Sequence, residues 1–183
     1  VLSDYGGPNP INIFISAVDV PAVSDVDYDG DLDILTFKIT GGFIEFHKNM
    51  AMEQTGNCDT VIFQLEESCW GNFYEGLNNY TLNCQNCQCP PIINHPNAKQ
   101  KHAGSTLLLI DIDDDYDKDI VLGDISFSNL NLLINGGDSA SANMVSVDSV
   151  FPANNSNTMP ASMDIFPAAY YVDATNDGIK DLS

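Results

Sequence analysis

Arginine is absent from the sequence and only six residues are lysine, whereas 26 are aspartate or glutamate, so the formal net charge is −20. Nucleic acids and anionic membranes attract proteins mainly through lysine and arginine, and this composition therefore disfavours both as partners. Long hydrophobic runs are also missing: the longest aliphatic run, Leu107–Ile110, is far too short to span a bilayer. With 44% apolar and 17% charged residues in 183, the chain is expected to fold as a domain of ordinary size.

The most distinctive stretch runs from Asp25 to Asp33, with a carboxylate at every second position and a glycine, Gly30, at the sixth. Two carboxylates about 5 Å apart repel by roughly 0.8 kcal/mol even at the dielectric constant of water. No basic residue lies nearby in the sequence, so a compact loop of this composition requires a cation. Alternating hard oxygen ligands around a sharp turn suit the loose oxygen shell of calcium better than the strict octahedron of magnesium.

The same pattern returns twice along the chain. We call residues 25–33 loop one, residues 111–119 loop two and residues 173–181 loop three. Loop two has acids at the same five positions, whereas loop three keeps the acids at positions one, five and nine and has Thr175 at position three. Each loop follows an apolar run, and loops one and two also precede one. A strand, an acidic loop and a strand that recur along the chain indicate a repeat protein.

The spacing of the loops predicts an all-β fold. Loop starts at residues 25, 111 and 173 lie 86 and then 62 residues apart, which allows four strands in a unit of about 60 residues, as in a propeller blade. We therefore expect residues 1–183 to form a β-propeller segment of four-stranded antiparallel blades, about two and a half in number, which leaves the ring incomplete. The predicted strands are Ile11–Val18, Pro21–Val23, Ile34–Phe37, Phe43–His47, Thr60–Leu65, Thr106–Ile110, Ile120–Leu122, Leu130–Ile134, Met144–Phe151 and Ala168–Val172.

At the three loops and their flanking strands the chain resembles the FG-GAP/VCBS repeat proteins, the calcium-binding β-propellers that include the integrin alpha-subunit head. The resemblance implies that side chains at positions one, three, five and nine bind calcium, together with the backbone carbonyl at position seven. The implied ligands are Asp25, Asp27, Asp29, Asp31 and Asp33 in loop one, Asp111, Asp113, Asp115, Asp117 and Asp119 in loop two, and Asp173, Thr175, Asp177, Ile179 and Asp181 in loop three.

Some features depart from this family. Tyr116 replaces the glycine at position six of loop two, so a strained or rearranged turn is expected there, and Thr175 is a poorer ligand than aspartate, which makes the third calcium site the weakest. The Phe-Gly and Gly-Ala-Pro signatures of the family are not clear. EF-hand loops fit less well, because they need a glutamate at position twelve, where loops one and two have Thr36 and Leu122. A solvated acidic turn without metal is the alternative for any single loop.

Residues 66–105 form a cysteine-rich insert with little periodicity. The insert holds four of the five cysteines, and a zinc knuckle that includes His95 is an alternative to disulfides. With one CxxC and no second half, disulfides are favoured, two within the insert, which leaves Cys58 as a free thiol. The strand order puts the insert on the face away from the calcium loops. Trp70, Phe73 and Tyr74 are expected to form the insert's own small core, or else a sugar-binding platform.

These features favour a calcium-binding module of a secreted or cell-surface protein, with a structural, adhesion or ligand-binding role and no catalysis of its own. The alternative is an accessory propeller domain of a secreted enzyme such as a polysaccharide-degrading hydrolase. The sequence contains no G-x-S-x-G or H-E-x-x-H motif, and its three histidines are scattered. Expected partners are the remainder of the parent protein or a covering partner chain, and a protein or glycan ligand.

Overall fold

The structure, a computed structural model, describes residues 1–77, 79–90, 104–153 and 157–183. Its described residues form short β-strands with almost no helix, which confirms the all-β prediction. One short helix, α1, spans Ala51–Thr55, and a 3₁₀ turn spans Gln85–Cys87. The strands are β1 (Leu2–Asp4), β2 (Ile11–Asn12), β3 (Ala22–Ser24), β4 (Asp33–Phe37), β5 (Ile44–Asn49), β6 (Phe63–Glu67), β7 (Tyr74–Gly76), β8 (Asn79–Thr81), β9 (Ser105–Ile110), β10 (Asp119–Asp124), β11 (Leu130–Asn135), β12 (Met144–Phe151), β13 (Tyr171–Val172) and β14 (Asp181–Leu182).

Two sheets dominate the fold, and each contains four consecutive antiparallel strands. In sheet one, β3, β4, β5 and β6 lie side by side in chain order, β1 adds to β6 in parallel, and β2 pairs with β1. In sheet two, β9, β10, β11 and β12 follow the same order. Strands β13 and β14 form a separate antiparallel pair. Loops one, two and three are thus equivalent, since each joins the first strand of a unit to the second.

The second strand of each sheet is buried along its whole length. All residues of β4 and all residues of β10 are buried. A continuous apolar run of four to eight residues between turn signals is typical of a strand covered on both faces. The main core lies between the two sheets, where Phe37 and Ile44 of sheet one pack with Leu122 and Leu133 of sheet two. A second core covers the opposite face of sheet two.

The first strands of the two sheets start side by side and run parallel. Val20, just before β3, bridges in parallel to Thr106 of β9, and its backbone N–H donates to the Ser105 carbonyl at 2.9 Å. The approach requires glycine at position 104, where φ is +140° and an added Cβ would lie 2.7 Å from the Val18 carbonyl oxygen. Loops one and two therefore emerge at the same end of adjacent strands.

Some predicted elements differ from the structure. The predicted strand Ile11–Val18 is limited to β2, and the predicted strand Thr60–Leu65 begins three residues later and ends at Glu67. Helix α1, which the sequence analysis did not predict, fills the connection between β5 and β6. Within the described part of the chain, no helix is long and apolar enough to cross a membrane.

The cysteine-rich insert is described at residues 66–77, 79–90, 104 and 105. Cys69 pairs with Cys87 and Cys84 with Cys89, at Cα separations of 5.4 and 3.9 Å, whereas Cys58 is free and exposed. These pairs agree with the prediction of two disulfides. They also leave no free thiolate among Cys84, Cys87 and Cys89 for a zinc knuckle, and the histidine of that alternative, His95, lies outside the described residues.

The insert lies along both sheets, and only part of its predicted position is correct. At sheet one it packs at the end away from loop one, where the Glu75 N–H donates to the Gly42 carbonyl at 2.8 Å. At sheet two the insert instead packs at the same end as loop two. There the Met144 N–H, at the start of β12, donates to the Gly71 carbonyl at 2.8 Å. The connection that precedes β12 lies at this end of the sheet. The prediction that Trp70 and Phe73 form a core of the insert alone is wrong. Both side chains are buried in the core between the sheets.

Candidate metal centres

All three loops share one backbone conformation. Positions four and six have positive φ in each: Tyr28 and Gly30, Asp114 and Tyr116, and Asn176 and Gly178. The N–H of position six donates to the carboxylate of position one, at 3.2, 3.1 and 2.9 Å in loops one, two and three. The N–H of position seven donates to the residue at position five, at 3.1, 3.1 and 2.9 Å. Tyr116 therefore takes the conformation of the glycine it replaces, and the turn of loop two is strained but not rearranged.

The aspartate at position nine fastens each loop to its strand. Asp33 accepts hydrogen bonds from the N–H groups of Val26 at 2.9 Å and Asn49 at 2.8 Å. In loop two, Asp119 accepts them from Ile112 at 3.0 Å and Asn135 at 2.8 Å. Both aspartates are fully buried. Asp181 of loop three accepts two N–H groups from within its own loop. The structure therefore gives position nine a backbone-binding role, and its predicted role as a calcium ligand stays a prediction.

An asparagine at the end of the third strand completes this arrangement. The Asn49 Oδ1 accepts the Ile62 N–H at 2.9 Å, and the Asn135 Oδ1 accepts the Asn143 N–H at 2.7 Å. Each asparagine lies 16 residues after the position-nine aspartate of its unit. The sequence analysis missed this pair, although the shared 16-residue offset was available as a signal. Each buried loop base is thus held by an aspartate and an asparagine on adjacent strands.

Loops one and two each bring the carboxylates of positions one, three and five together. Oxygen atoms of these carboxylates lie within 4.8 Å of one another, and in loop one a further group joins positions five and seven to Glu53 of helix α1. Such groups could hold a metal ion. Loop three is fully described and is largely exposed, and it has no such group of three carboxylates. The grouped residues are Asp25, Asp27 and Asp29; Asp29, Asp31 and Glu53; and Asp111, Asp113 and Asp115.

Several buried carboxylate oxygens in these loops receive no hydrogen bond from the described residues. They are Oδ1 of Asp25, Oδ2 of Asp29, Oδ1 of Asp31 and both carboxylate oxygens of Asp117. Asp31 and Asp117, at position seven of their loops, are each 2% exposed. An ionised carboxylate that is buried without a donor is costly, so the oxygens of Asp25, Asp29 and Asp31 in loop one fit the coordination of a cation with oxygen ligands. Asp117 lies outside the group formed by Asp111, Asp113 and Asp115.

The electrostatics of the loops point the same way. Burial, only partly offset by backbone N–H donors, raises the pKa of Asp33 to about 7. Burial and the neighbouring Asp115 raise the pKa of Asp117 to about 6. Burial also raises the pKa of Asp31. These carboxyl groups therefore hold protons at a higher pH than isolated aspartates, and a bound cation would favour their ionised forms.

Loop one is not free of basic neighbours, which corrects the sequence analysis. The Lys48 ammonium, from the end of β5, forms ion pairs with Asp27 and Glu53 and lies 3.7 Å from the Asp29 carboxylate. Burial lowers the pKa of Lys48, but its hydrogen bonds to Asp27 and Glu53 outweigh this effect and raise it overall. The sequence could not indicate this contact, because Lys48 reaches loop one only through the pairing of β4 with β5.

Loops one and two also touch each other. The Tyr28 hydroxyl of loop one lies 3.4 Å from the Asp111 Oδ2 and 3.4 Å from the Asp117 carbonyl oxygen of loop two. The Lys118 ammonium lies 3.9 Å from the centre of the Tyr28 ring. Partial burial and the charge of Asp111 raise the pKa of Tyr28 to about 12, so its hydroxyl remains a proton donor at neutral pH.

A second polar cluster lies within sheet one. The His47 Nδ1 is 2.9 Å from the Ser3 hydroxyl, and its Nε2 is 3.6 Å from the Glu45 carboxylate. These residue types resemble a hydrolytic triad, which the scattered histidines of the sequence had not indicated. Ser3 and His47 are fully buried, so a substrate cannot reach the hydroxyl in this structure, and the cluster ties β1 to β5. His102 lies outside the described residues.

Comparisons with protein-family models, with curated proteins and with solved structures found no match to this chain.

Proposed function

We propose that this chain is a calcium-binding β-propeller segment of the FG-GAP/VCBS type. The observation that carries the proposal is the repeated loop, which occupies the same turn of each strand unit and groups three carboxylates in loops one and two; in loop one, some of these carboxylates have buried oxygens that receive no hydrogen bond from the described residues. Calcium fits because every grouped side chain offers hard oxygen, and because six to eight oxygen ligands tolerate an irregular shell. Loops one and two are the two principal sites, and the exposed loop three is the weaker third site.

The arrangement of the first strands supports a propeller. Strands β3 and β9 lie parallel and side by side, and residues 168–172, which lead into loop three, line a cavity of about 270 Å³ together with them. In a β-propeller, the first strands of successive blades face a common central cavity. The hairpin formed by β13, loop three and β14 exposes Tyr171, Val172 and Ile179. We propose that the remainder of the parent protein, or a partner chain, covers these apolar side chains.

The proposed protein is secreted or displayed on the cell surface, because disulfides persist in oxidising compartments. There the segment acts as a structural, adhesion or ligand-binding module, with a protein or glycan as its ligand. Catalysis is not part of the proposal, since the grouped carboxylates lie in the loops and the Ser3–His47–Glu45 cluster is buried.

Calcium removal tests this proposal directly. We expect chelation to lower the melting temperature by about 10 °C or more, and added calcium, but not the same concentration of magnesium, to restore it. Differential scanning calorimetry measures the melting temperature, and isothermal titration calorimetry counts the sites. Replacing Asp27, Asp29, Asp113 and Asp115 by asparagine keeps side-chain size but should remove the two strong sites. An unchanged melting temperature on calcium addition would contradict the proposal.

The pH dependence of the protein's stability provides a second test of calcium binding. In the metal-free protein the pKa of Asp33 is about 7 and that of Asp117 about 6, both raised by burial above the unfolded value of about 4. The folded state therefore binds more protons than the unfolded state between pH of about 4 and 7, so stability falls as the pH rises through this range. Calcium favours the ionised carboxylates, and in its presence we expect this fall to disappear.

A further inference from the structure

We propose that Tyr28 is a positioning residue that couples the calcium sites of loops one and two. The inference rests on the proposed calcium binding and adds to it that the two sites do not bind independently. Its starting point is that Tyr28, a residue of loop one, reaches two atoms of loop two with one hydroxyl group. These atoms are the Asp111 Oδ2 and the Asp117 carbonyl oxygen, both at 3.4 Å.

Both contacted atoms belong to the expected ligand set of loop two. Asp111 supplies the carboxylate of position one, and Asp117 supplies the backbone carbonyl of position seven. The other Asp111 oxygen, Oδ1, accepts the Asp115 N–H at 3.1 Å, so Tyr28 adds an outside contact to a carboxylate already oriented by its own loop. Groups that orient a metal ligand from outside its first shell typically change metal affinity by about 10- to 100-fold when removed.

The position of Tyr28 is in turn set by loop one. Tyr28 lies between Asp27 and Asp29, two residues of the loop-one carboxylate group, and its backbone is left-handed with φ of 63°. A cation that orders these neighbours also restricts the tyrosine backbone. An ordered Tyr28 loses less freedom when its hydroxyl contacts loop two, so occupancy of loop one favours binding at loop two, and by linkage the reverse holds.

In a second contact between the loops, a side chain of loop two reaches loop one. Lys118 belongs to loop two, and its ammonium lies 3.9 Å from the centre of the Tyr28 ring. Phenylalanine in place of Tyr28 keeps this ring contact and removes only the hydroxyl. Tyr116 offers the matched control, because its ring packs edge-on against that of Tyr28 at 6.4 Å while its side chain is 78% exposed.

The test measures calcium binding to the full chain by isothermal titration calorimetry, with loop three inactivated by Asp173→Asn and Asp177→Asn. In this background, Tyr28→Phe should weaken calcium binding at loop two by about tenfold when loop one is filled and, by linkage, at loop one to the same extent when loop two is filled. Tyr116→Phe should change neither site. Inactivation of loop one by Asp25→Asn and Asp27→Asn should weaken loop two in the Tyr28 protein, but should add no further loss in the Tyr28→Phe protein.

Melting curves in chelator check that each variant is folded before binding is measured. Unchanged loop-two affinity in Tyr28→Phe, or an equal loss in Tyr116→Phe, would overturn the coupling while leaving the proposed calcium function intact. Additive losses from Tyr28→Phe and the loop-one substitutions would also overturn it. The absence of calcium binding in every background would instead overturn the proposed function, and this inference with it.

Discussion

Loop one and loop two have the same nine-residue backbone and the same five acids, yet their surroundings differ in charge. At loop one, Lys48 places an ammonium group against Asp27 and Glu53. At loop two, the loop's own basic side chain, Lys118, lies over the Tyr28 ring, and both buried oxygens of Asp117 lack donors from the described residues. The difference teaches that a repeated acidic motif fixes the shape of a loop, whereas neighbouring strands decide how its charge is balanced before any metal binds.

The largest expected effect tests what the two loops share. Asp33→Ala and Asp119→Ala each remove the acceptor of two backbone N–H groups that are buried or partly buried, and each should lower the free energy of unfolding by about 3 kcal/mol. Asp181→Ala is the matched control, because the Asp181 carboxylate accepts hydrogen bonds from N–H groups that are exposed. This substitution should lower the free energy of unfolding by less than about 1 kcal/mol. Urea denaturation in chelator separates this role from calcium binding. Equal losses of unfolding free energy in all three variants would contradict the conclusion that the buried aspartates at position nine stabilise the fold through these hydrogen bonds.

A smaller effect should separate the two loops. Lys48→Met removes the ammonium that competes with a cation for Asp27 and Asp29, so calcium affinity at loop one should rise by about tenfold while loop two is unchanged. Isothermal titration calorimetry of the chain measures both sites. Lys38→Met, in the turn at the other end of β4, provides the control and should have no effect. If Lys48→Met instead weakened loop one, the lysine would be supporting the site rather than competing for it.

The smallest effect concerns position six. Tyr116 has φ of 69°, where glycine is the usual residue, and Tyr116→Gly should therefore raise the free energy of unfolding by about 0.5 kcal/mol after the entropic cost of glycine is subtracted. Asn176→Gly, at position four of loop three where φ is also positive, is the control, since asparagine tolerates this conformation and little change is expected. Thermal melts in chelator compare the two. A destabilised Tyr116→Gly protein would show that ring packing against Tyr28 outweighs the backbone strain.

Local patterns predicted the repeated parts of the fold well. The predicted strands that flank loops one and two match β3, β4, β9 and β10 within two residues, because apolar runs between turn residues carry their own strand signal. The prediction was weakest where partners are distant in sequence. Residues 13–18 have β-rich composition but form no strand, and helix α1 has too few residues to show a periodic pattern.

The sequence by itself determined the nine-residue loops, since the order of aspartate and glycine residues sets local hydrogen bonds within each loop. It also determined the number of cysteines available for pairing. Only the tertiary structure decided that Lys48 pairs with Asp27 of loop one, that Asn49 and Asn135 support position nine, and that Tyr28 touches loop two. Each of these contacts crosses between strands or sheets, and its distance is set by strand register and packing. Trp70 shows the same limit: its core position depends on two sheets whose association no local pattern encodes.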